Sequence, residues 1–196
     1  MKDLLARWYE QSQQIAPVRI PRLTRKRLVL HFCEAGYTRG AEIGVDRGRF
    51  SEYMLSNCPD LHLLLVDPWY WKLRGESRYQ STVRRMARFG GRATIDRRMS
   101  EDAVRDVEDG SLDFVYIDGD HSFDYVMLDL ILWARKVREG GVVAGHDYFR
   151  FRGAGVVPAV DVYAQQHGVT CWFLTDEKAP TWFWLKGPEP FEIEKR

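Results

Sequence analysis

The chain of 196 residues has no apolar run near the roughly 20 residues that a membrane-spanning helix requires, and its first residues carry no apolar stretch long enough for a secretory signal. It has no repeat, no low-complexity tract and no linker-like segment. Cysteine is scarce: Cys33, Cys58 and Cys171 are odd in number and widely spaced, with no C-x-x-C pair to suggest a zinc site or a redox dithiol. Separate thiols suit a reducing compartment, so these absences together predict a cytoplasmic protein with no membrane partner. An excess of charge is missing too. A formal net charge of +1 gives no electrostatic case for nucleic acid or an anionic membrane.

What is present is enough apolar material, 45% of the chain, for one domain with a full core and no room for a large second one. Arginine far outnumbers lysine, and Arg84, Arg85, Arg88, Arg92, Arg97 and Arg98 crowd together. A solvated face balanced by acids elsewhere accounts for such a run, and a patch that meets an anionic substrate is the alternative. Leu4, Leu5, Trp8 and Tyr9 sit at helical spacing before Pro17 and Pro21 interrupt, and a basic segment with Arg19, Arg22, Arg25, Lys26 and Arg27 follows. Residues 1–37 therefore read as an N-terminal helical extension laid against a domain of residues 38–196. An exposed face with Trp8 and Tyr9 would favour a homodimer through that extension.

From Gly40 onward strands and helices alternate, the pattern of a doubly wound parallel sheet. Strands are expected at 41–45, 62–67, 92–96, 112–118, 141–146, 170–174 and 181–185, with helices over 49–57, 78–89, 100–108, 122–138 and 155–167. The link Thr175 to Pro180 is too short for a crossover helix, so the last two strands should form an antiparallel hairpin.

The first strand carries Ala41-Glu42-Ile43-Gly44-Val45-Asp46-Arg47-Gly48, and Asp67 closes the second, Leu61 to Val66. Small residues in such a turn let the backbone approach a ligand, and a carboxylate at the end of the second strand accepts both hydroxyls of a ribose. The turn reads E-x-G-x-x-x-G and lacks the closely spaced glycines that seat a pyrophosphate. A nucleoside without phosphates fits better than a dinucleotide.

These residues resemble the motifs of class I S-adenosylmethionine-dependent methyltransferases, over about residues 38–186. Val66-Asp67-Pro68-Trp69 resembles the ribose-binding strand end, and Met99-Ser100-Glu101-Asp102-Ala103 the adenine-side loop. Phe114 to Ser122, containing Ile117-Asp118-Gly119-Asp120-His121, and Gly140 to Tyr148, containing Ala144-Gly145-His146-Asp147-Tyr148, resemble a subgroup of small-molecule and sugar O-methyltransferases, several of them metal-dependent. The resemblance implies a Rossmann-like α/β fold with seven strands, mostly parallel and ending in the hairpin. It implies S-adenosylmethionine as cofactor, held by Glu42, Gly44, Asp46, Gly48, Asp67, Trp69, Met99, Ser100 and Asp118, and a small-molecule acceptor.

Asp118 and the histidine–aspartate pair His146 and Asp147 stand at neighbouring strand ends and suit a divalent metal, Mg²⁺, Mn²⁺ or another. The imidazole favours Mn²⁺, Fe²⁺ or Zn²⁺ over Mg²⁺. The alternative is a metal-free site in which His146 binds or orients the substrate. His121 is the expected general base, because imidazole titrates near neutrality and similar enzymes place a base three residues past this aspartate; Asp120 is second. Residues 70–80, with Trp71, Arg74, Arg78 and Tyr79, are expected to shape acceptor specificity. The absence of an Asn-Pro-Pro-Tyr-like tetrapeptide after the fourth strand argues against transfer to nitrogen. A non-catalytic S-adenosylmethionine-binding regulator and a metal-dependent hydroxylase of similar sequence are the remaining alternatives.

Overall fold

A computed structural model describes residues 16–70, 74–151 and 153–187. The helix expected at Leu4 to Tyr9, with its dimer face, and Trp71 of the acceptor segment lie outside the described residues. Eight strands form one sheet: β1 (Val18–Arg19), β2 (Arg39–Ile43), β3 (His62–Val66), β4 (Ala93–Asp96), β5 (Leu112–Ile117), β6 (Val137–Gly145), β7 (Phe173–Leu174) and β8 (Trp182–Leu185). Their order is β1-β7-β8-β6-β5-β2-β3-β4. Helices α1 (Arg25–Glu34), α2 (Arg49–Asn57), α3 (Gly75–Met86), the short α4 (Ser100–Ala103), α5 (Phe123–Trp133) and α6 (Val156–Gln166) cover it.

The central strands are apolar on both faces because helices lie on both. Their period-two alternation divides the core. Phe114 and Tyr116 join Leu28, Phe32 and Met54 from α1 and α2 on one face, whereas Val115 and Ile117 join Val126, Leu130 and Trp133 from α5 on the other. Glu42 shares the first face with Gly40, whose missing side chain makes room for the Phe114 ring, since a Cβ there would lie 2.2 Å from Phe114 Cζ. β2 pairs in parallel with β3 on one side and with β5 on the other, so the chain reverses its direction of winding there. The crevice beyond the carboxyl ends of such strands is where open α/β sheets bind ligands.

The Rossmann-like fold with its antiparallel hairpin is as the sequence led us to expect, with Phe173 opposite Phe183 and Leu174 opposite Trp182. The sheet has one strand more than expected. Val18 and Arg19, too short a segment to show alternation, pair in parallel with β7 and close that edge. The expected helix over 122–138 stops at Trp133. A 3-10 turn over Ala134–Lys136 follows, and the fully buried Val137 then starts β6 opposite Leu112, because burial in the sheet outweighs helical continuity. The helices expected over 78–89 and 100–108 likewise end in 3-10 turns, after Met86 and Ala103.

Cys33, in α1, and Cys58, just past α2, form a disulfide with Cα atoms 5.3 Å apart. This corrects the picture of separate thiols and removes the argument from cysteine usage for a reducing compartment. Sequence spacing hid the pair because only the packing of α1 on α2 brings the two residues together. Among the described residues no helix is long and apolar enough to cross a membrane. Cys171 is the remaining thiol, so the denatured, unreduced protein should titrate one thiol per chain and the reduced protein three. A count of three before reduction would refute the disulfide.

Candidate functional site

A pocket of about 500 Å³ opens at the carboxyl ends of β2, β3 and β5. Every cofactor-binding residue expected from the sequence contributes to its wall except Gly48, which sets the turn beneath it. The turn after β2 needs its glycines. Gly44 has φ +88°, and a Cβ there would lie 2.1 Å from the Asp118 carbonyl oxygen. Gly48, at φ +70°, enters α2 against Thr82. Asp46 also takes a positive φ of 52°, a region where Asp is among the tolerated residues.

Asp67 fixes this turn. Its Oδ2 accepts the backbone N–H of Val45 at 3.0 Å and of Asp46 at 2.9 Å, and its Oδ1 accepts that of Trp69 at 2.8 Å. Burial raises its pKa against these three bonds. The carboxylate therefore shapes the wall that a ribose would meet, and Oδ1 keeps a lone pair for a hydroxyl. Trp69 is buried; its Nε1 donates to the Asp46 carbonyl at 2.7 Å, and Tyr79 packs edge-on against its ring. Arg78 pairs with the Asp46 carboxylate at 2.7 Å. Two residues expected to shape acceptor specificity, Arg78 and Tyr79, thus also brace the glycine turn, directly and through Trp69.

Glu42 is 2% exposed and accepts a hydrogen bond from the Ser51 hydroxyl on α2. Burial pushes its carboxyl up to about 8, so it carries a proton at neutral pH. On the adenine side, Met99 and Ser100 line the pocket, but the Ser100 hydroxyl donates to Asp129 Oδ1 and accepts from Trp133 Nε1 at 2.6 Å. That leaves the loop backbone to face a base. Asp129 itself was missed from the sequence. It lines the pocket and burial pushes its carboxyl up to about 7. The signal was its place on the buried stripe of α5, three residues after Val126 and four before Trp133.

At the other end, beside β6, the structure brings Asp118, His121 and Asp147 together, with ligand atoms all within 4.8 Å of one another. His146, expected in that trio, lies beside it: its Nδ1 is 3.1 Å from Asp147 Oδ1 and 3.9 Å from Asp118 Oδ1. His121 Nε2 is 2.9 Å from Asp147 Oδ2 and 3.8 Å from Asp118 Oδ1, yet it is buried with no aligned hydrogen-bond partner. The Asp118 and Asp147 carboxylates hold its pKa up at about 10, while Asp147 is driven far below the usual carboxylate range by both histidines. Asp120 accepts the Ser122 N–H at 2.8 Å at the start of α5, and Ser122 lowers its pKa. Neither expected base is tuned to accept a proton at neutral pH as it stands.

The fold and this crevice define a doubly wound α/β protein with a carboxylate–imidazole cluster beside a pocket at the ends of its central strands. Residues 41–148 match a methyltransferase-domain family over more than half of the chain, and the chain belongs to that family. An uncharacterized protein, R132, of Acanthamoeba polyphaga mimivirus is 28% identical over 124 residues, which are 61% of this chain and 56% of that relative. The match thus spans little more than half of the relative's own length. Among solved structures, an O-methyltransferase from Bacillus cereus in complex with SAH superposes with TM-score 0.60 at 15% identity, covering 94% of this chain and 91% of that one. Cofactor-bound Rv0187 from MTB gives TM-score 0.63 at 14% identity over 95% and 90% of the two chains.

Two consequences can be measured. The folded protein keeps a proton on Glu42 that the unfolded chain releases above about 4.5, so this group's contribution to stability declines as pH rises from about 4.5 to about 8. Glu42→Gln should remove that component, at most about 1.4 kcal/mol per pH unit, as read from denaturation midpoints of parent and variant at pH 5, 7 and 9. Asp67→Ala strands three backbone N–H groups and should cost about 2–4 kcal/mol of unfolding free energy without any ligand present. An unchanged urea midpoint would show that the carboxylate serves the ligand alone.

Proposed function

We propose that the protein transfers the methyl group of S-adenosylmethionine to a hydroxyl of a small molecule, a sugar or a natural-product scaffold, assisted by a divalent cation. The observation that carries this reading is the Asp118–His121–Asp147 cluster at the β6 end of a pocket whose β3 end is built for a ribose. Family membership supports methyl transfer, and the solved neighbour named an O-methyltransferase supports an oxygen acceptor.

The cluster fits a cation. Two carboxylates and one imidazole make a mixed oxygen and nitrogen donor set, and His121 Nε2, buried without an aligned hydrogen-bond partner, is the nitrogen that would bind a cation in exchange for its proton. Mn²⁺, Fe²⁺ and Zn²⁺ suit that set better than Mg²⁺. Asp118, His121 and Asp147 would hold the ion, which when bound supplies Lewis acidity to an acceptor hydroxyl.

The chain's own residues do the rest. Asp67 and the turn it braces hold the nucleoside, fixing the methyl donor relative to the cluster. Alignment of this kind is worth up to about 7–11 kcal/mol of barrier. His121, facing two carboxylates, is an imidazolium at neutral pH and cannot take the acceptor's proton in that state. With no cation in the cluster it becomes a base only above about pH 10. The exposed Phe149 and Phe151 rings stack at 4.7 Å, and Phe151 meets His121 edge-on at 5.7 Å, forming an apolar rim where an acceptor would enter.

The test is release of S-adenosylhomocysteine across a panel of small hydroxylated acceptors, with chelator and with added Mn²⁺. Chelation should lower turnover by at least about 100-fold, and Mn²⁺ should restore it. Chelator-resistant turnover that climbs toward pH 10 would replace the cation with His121 as the base. Failure to bind S-adenosylmethionine would overturn the reading altogether.

A further inference from the structure

We infer that Arg25, from the basic segment ahead of the methyltransferase core, binds the α-carboxylate of the cofactor's amino-acid end; the inference rests on the cofactor reading above. The sheet order sets the geometry. A linear cofactor whose ribose lies at β3 and whose base lies toward the Met99 loop must run across β2 toward β5, because β2 separates β3 from β5. Two strand spacings, about 10 Å, bring its far end over Glu42, Gly44 and Asp118.

That end of the pocket carries complementary charges for a zwitterion. Asp118 turns Oδ1 toward the histidine cluster and Oδ2 toward this end, so Oδ2 is the acceptor for the ammonium, and Arg25 is the cation facing it, with Nη1 4.0 Å away. This separation is too long for a hydrogen bond, so the pair leaves both groups able to bind a ligand. Arg25 lines the pocket with its side chain 34% exposed. Its guanidinium lies over the Phe50 ring at 4.9 Å and also meets the buried Tyr116 hydroxyl, contacts that orient the fork and leave its remaining N–H groups to an anion.

Arg25 is also held from behind. It is the first residue of α1, capped by Thr24, whose Oγ1 accepts the Arg27 N–H at 3.3 Å. Its own N–H donates to Glu177 Oε2, on the hairpin link, at 2.7 Å. Leu28, Val29 and Phe32 bury the same helix in the core. An arginine serving only as a surface charge needs none of this. Arg47 and Arg49 line the pocket as well and are the competing cations.

The experiment is calorimetric titration of S-adenosylmethionine and of its decarboxylated form, which lacks only the carboxylate, into parent, Arg25→Gln, Arg25→Lys and Arg49→Gln proteins. We expect Arg25→Gln to weaken S-adenosylmethionine by about 10- to 100-fold and to leave the decarboxylated form within about twofold. Arg25→Lys should fall between parent and Gln, because it keeps the charge and loses the fork. If the two ligands weaken equally, or if Arg49→Gln alone changes their ratio, the assignment to Arg25 is overturned while the cofactor reading stands. If the parent binds neither ligand, the cofactor reading fails first. Should Arg25→Gln not fold, the ratio in Arg25→Lys decides in the same way.

Discussion

The carboxylate of Asp67 is the constraint on which the rest of the site depends. Three backbone N–H groups, two from the turn after β2 and one from the turn after β3, converge on it, so the ends of two adjacent strands are tied to a single charged group. The turn it holds contains Gly44 and Asp46 at positive φ, and of the two only Asp46 has a side chain that disfavours that conformation. Trp69 and Arg78 then fasten onto Asp46, and Gly44 packs on the backbone of Asp118. The pocket wall and the carboxylate cluster are thereby placed relative to one another through the glycine turn.

The cluster itself is a case of charge balance. Asp118 faces three cationic or basic groups, Arg25, His121 and His146, each 3.8–4.0 Å away and none in hydrogen-bond contact. Asp147 takes closer contacts from both histidines. His121, whose pKa the two carboxylates hold up at about 10, is the positive charge of the cluster. This is why the residue expected to act as a base carries a proton at neutral pH, and why position and titration have to be read separately.

Most of the fold was legible in the sequence because alternation of buried strands and amphipathic helices is a local signal, and the glycine turn with Asp67 is a local motif. The residues lining the nucleoside pocket were legible for the same reason. What local pattern could not show was anything requiring a distant partner. β1 is two residues long and exists only because β7 is there to pair with it. The Cys33–Cys58 bridge depends on how α1 packs on α2. Asp129 looks like one acid in an apolar helix until Ser100 is found beside it, and His121 reads as a neutral base until Asp147 is seen against its ring. Arg25 belonged to a basic run whose direction only the tertiary structure reveals.

The way the two edges of the chain meet has a bearing on the order of folding. Arg19 reaches the Thr175 carbonyl, the Arg22 N–H reaches Asp176 and the Arg25 N–H reaches Glu177, contacts between residues more than 150 positions apart. Closing such loops carries a large entropic cost that is offset only after the intervening sheet has formed. The contact order of this segment predicts that it is seated after the central strands. A chain with its central strands already paired would hold the crevice at the ends of β2, β3 and β5 while the edge at β1 and β7 was still open.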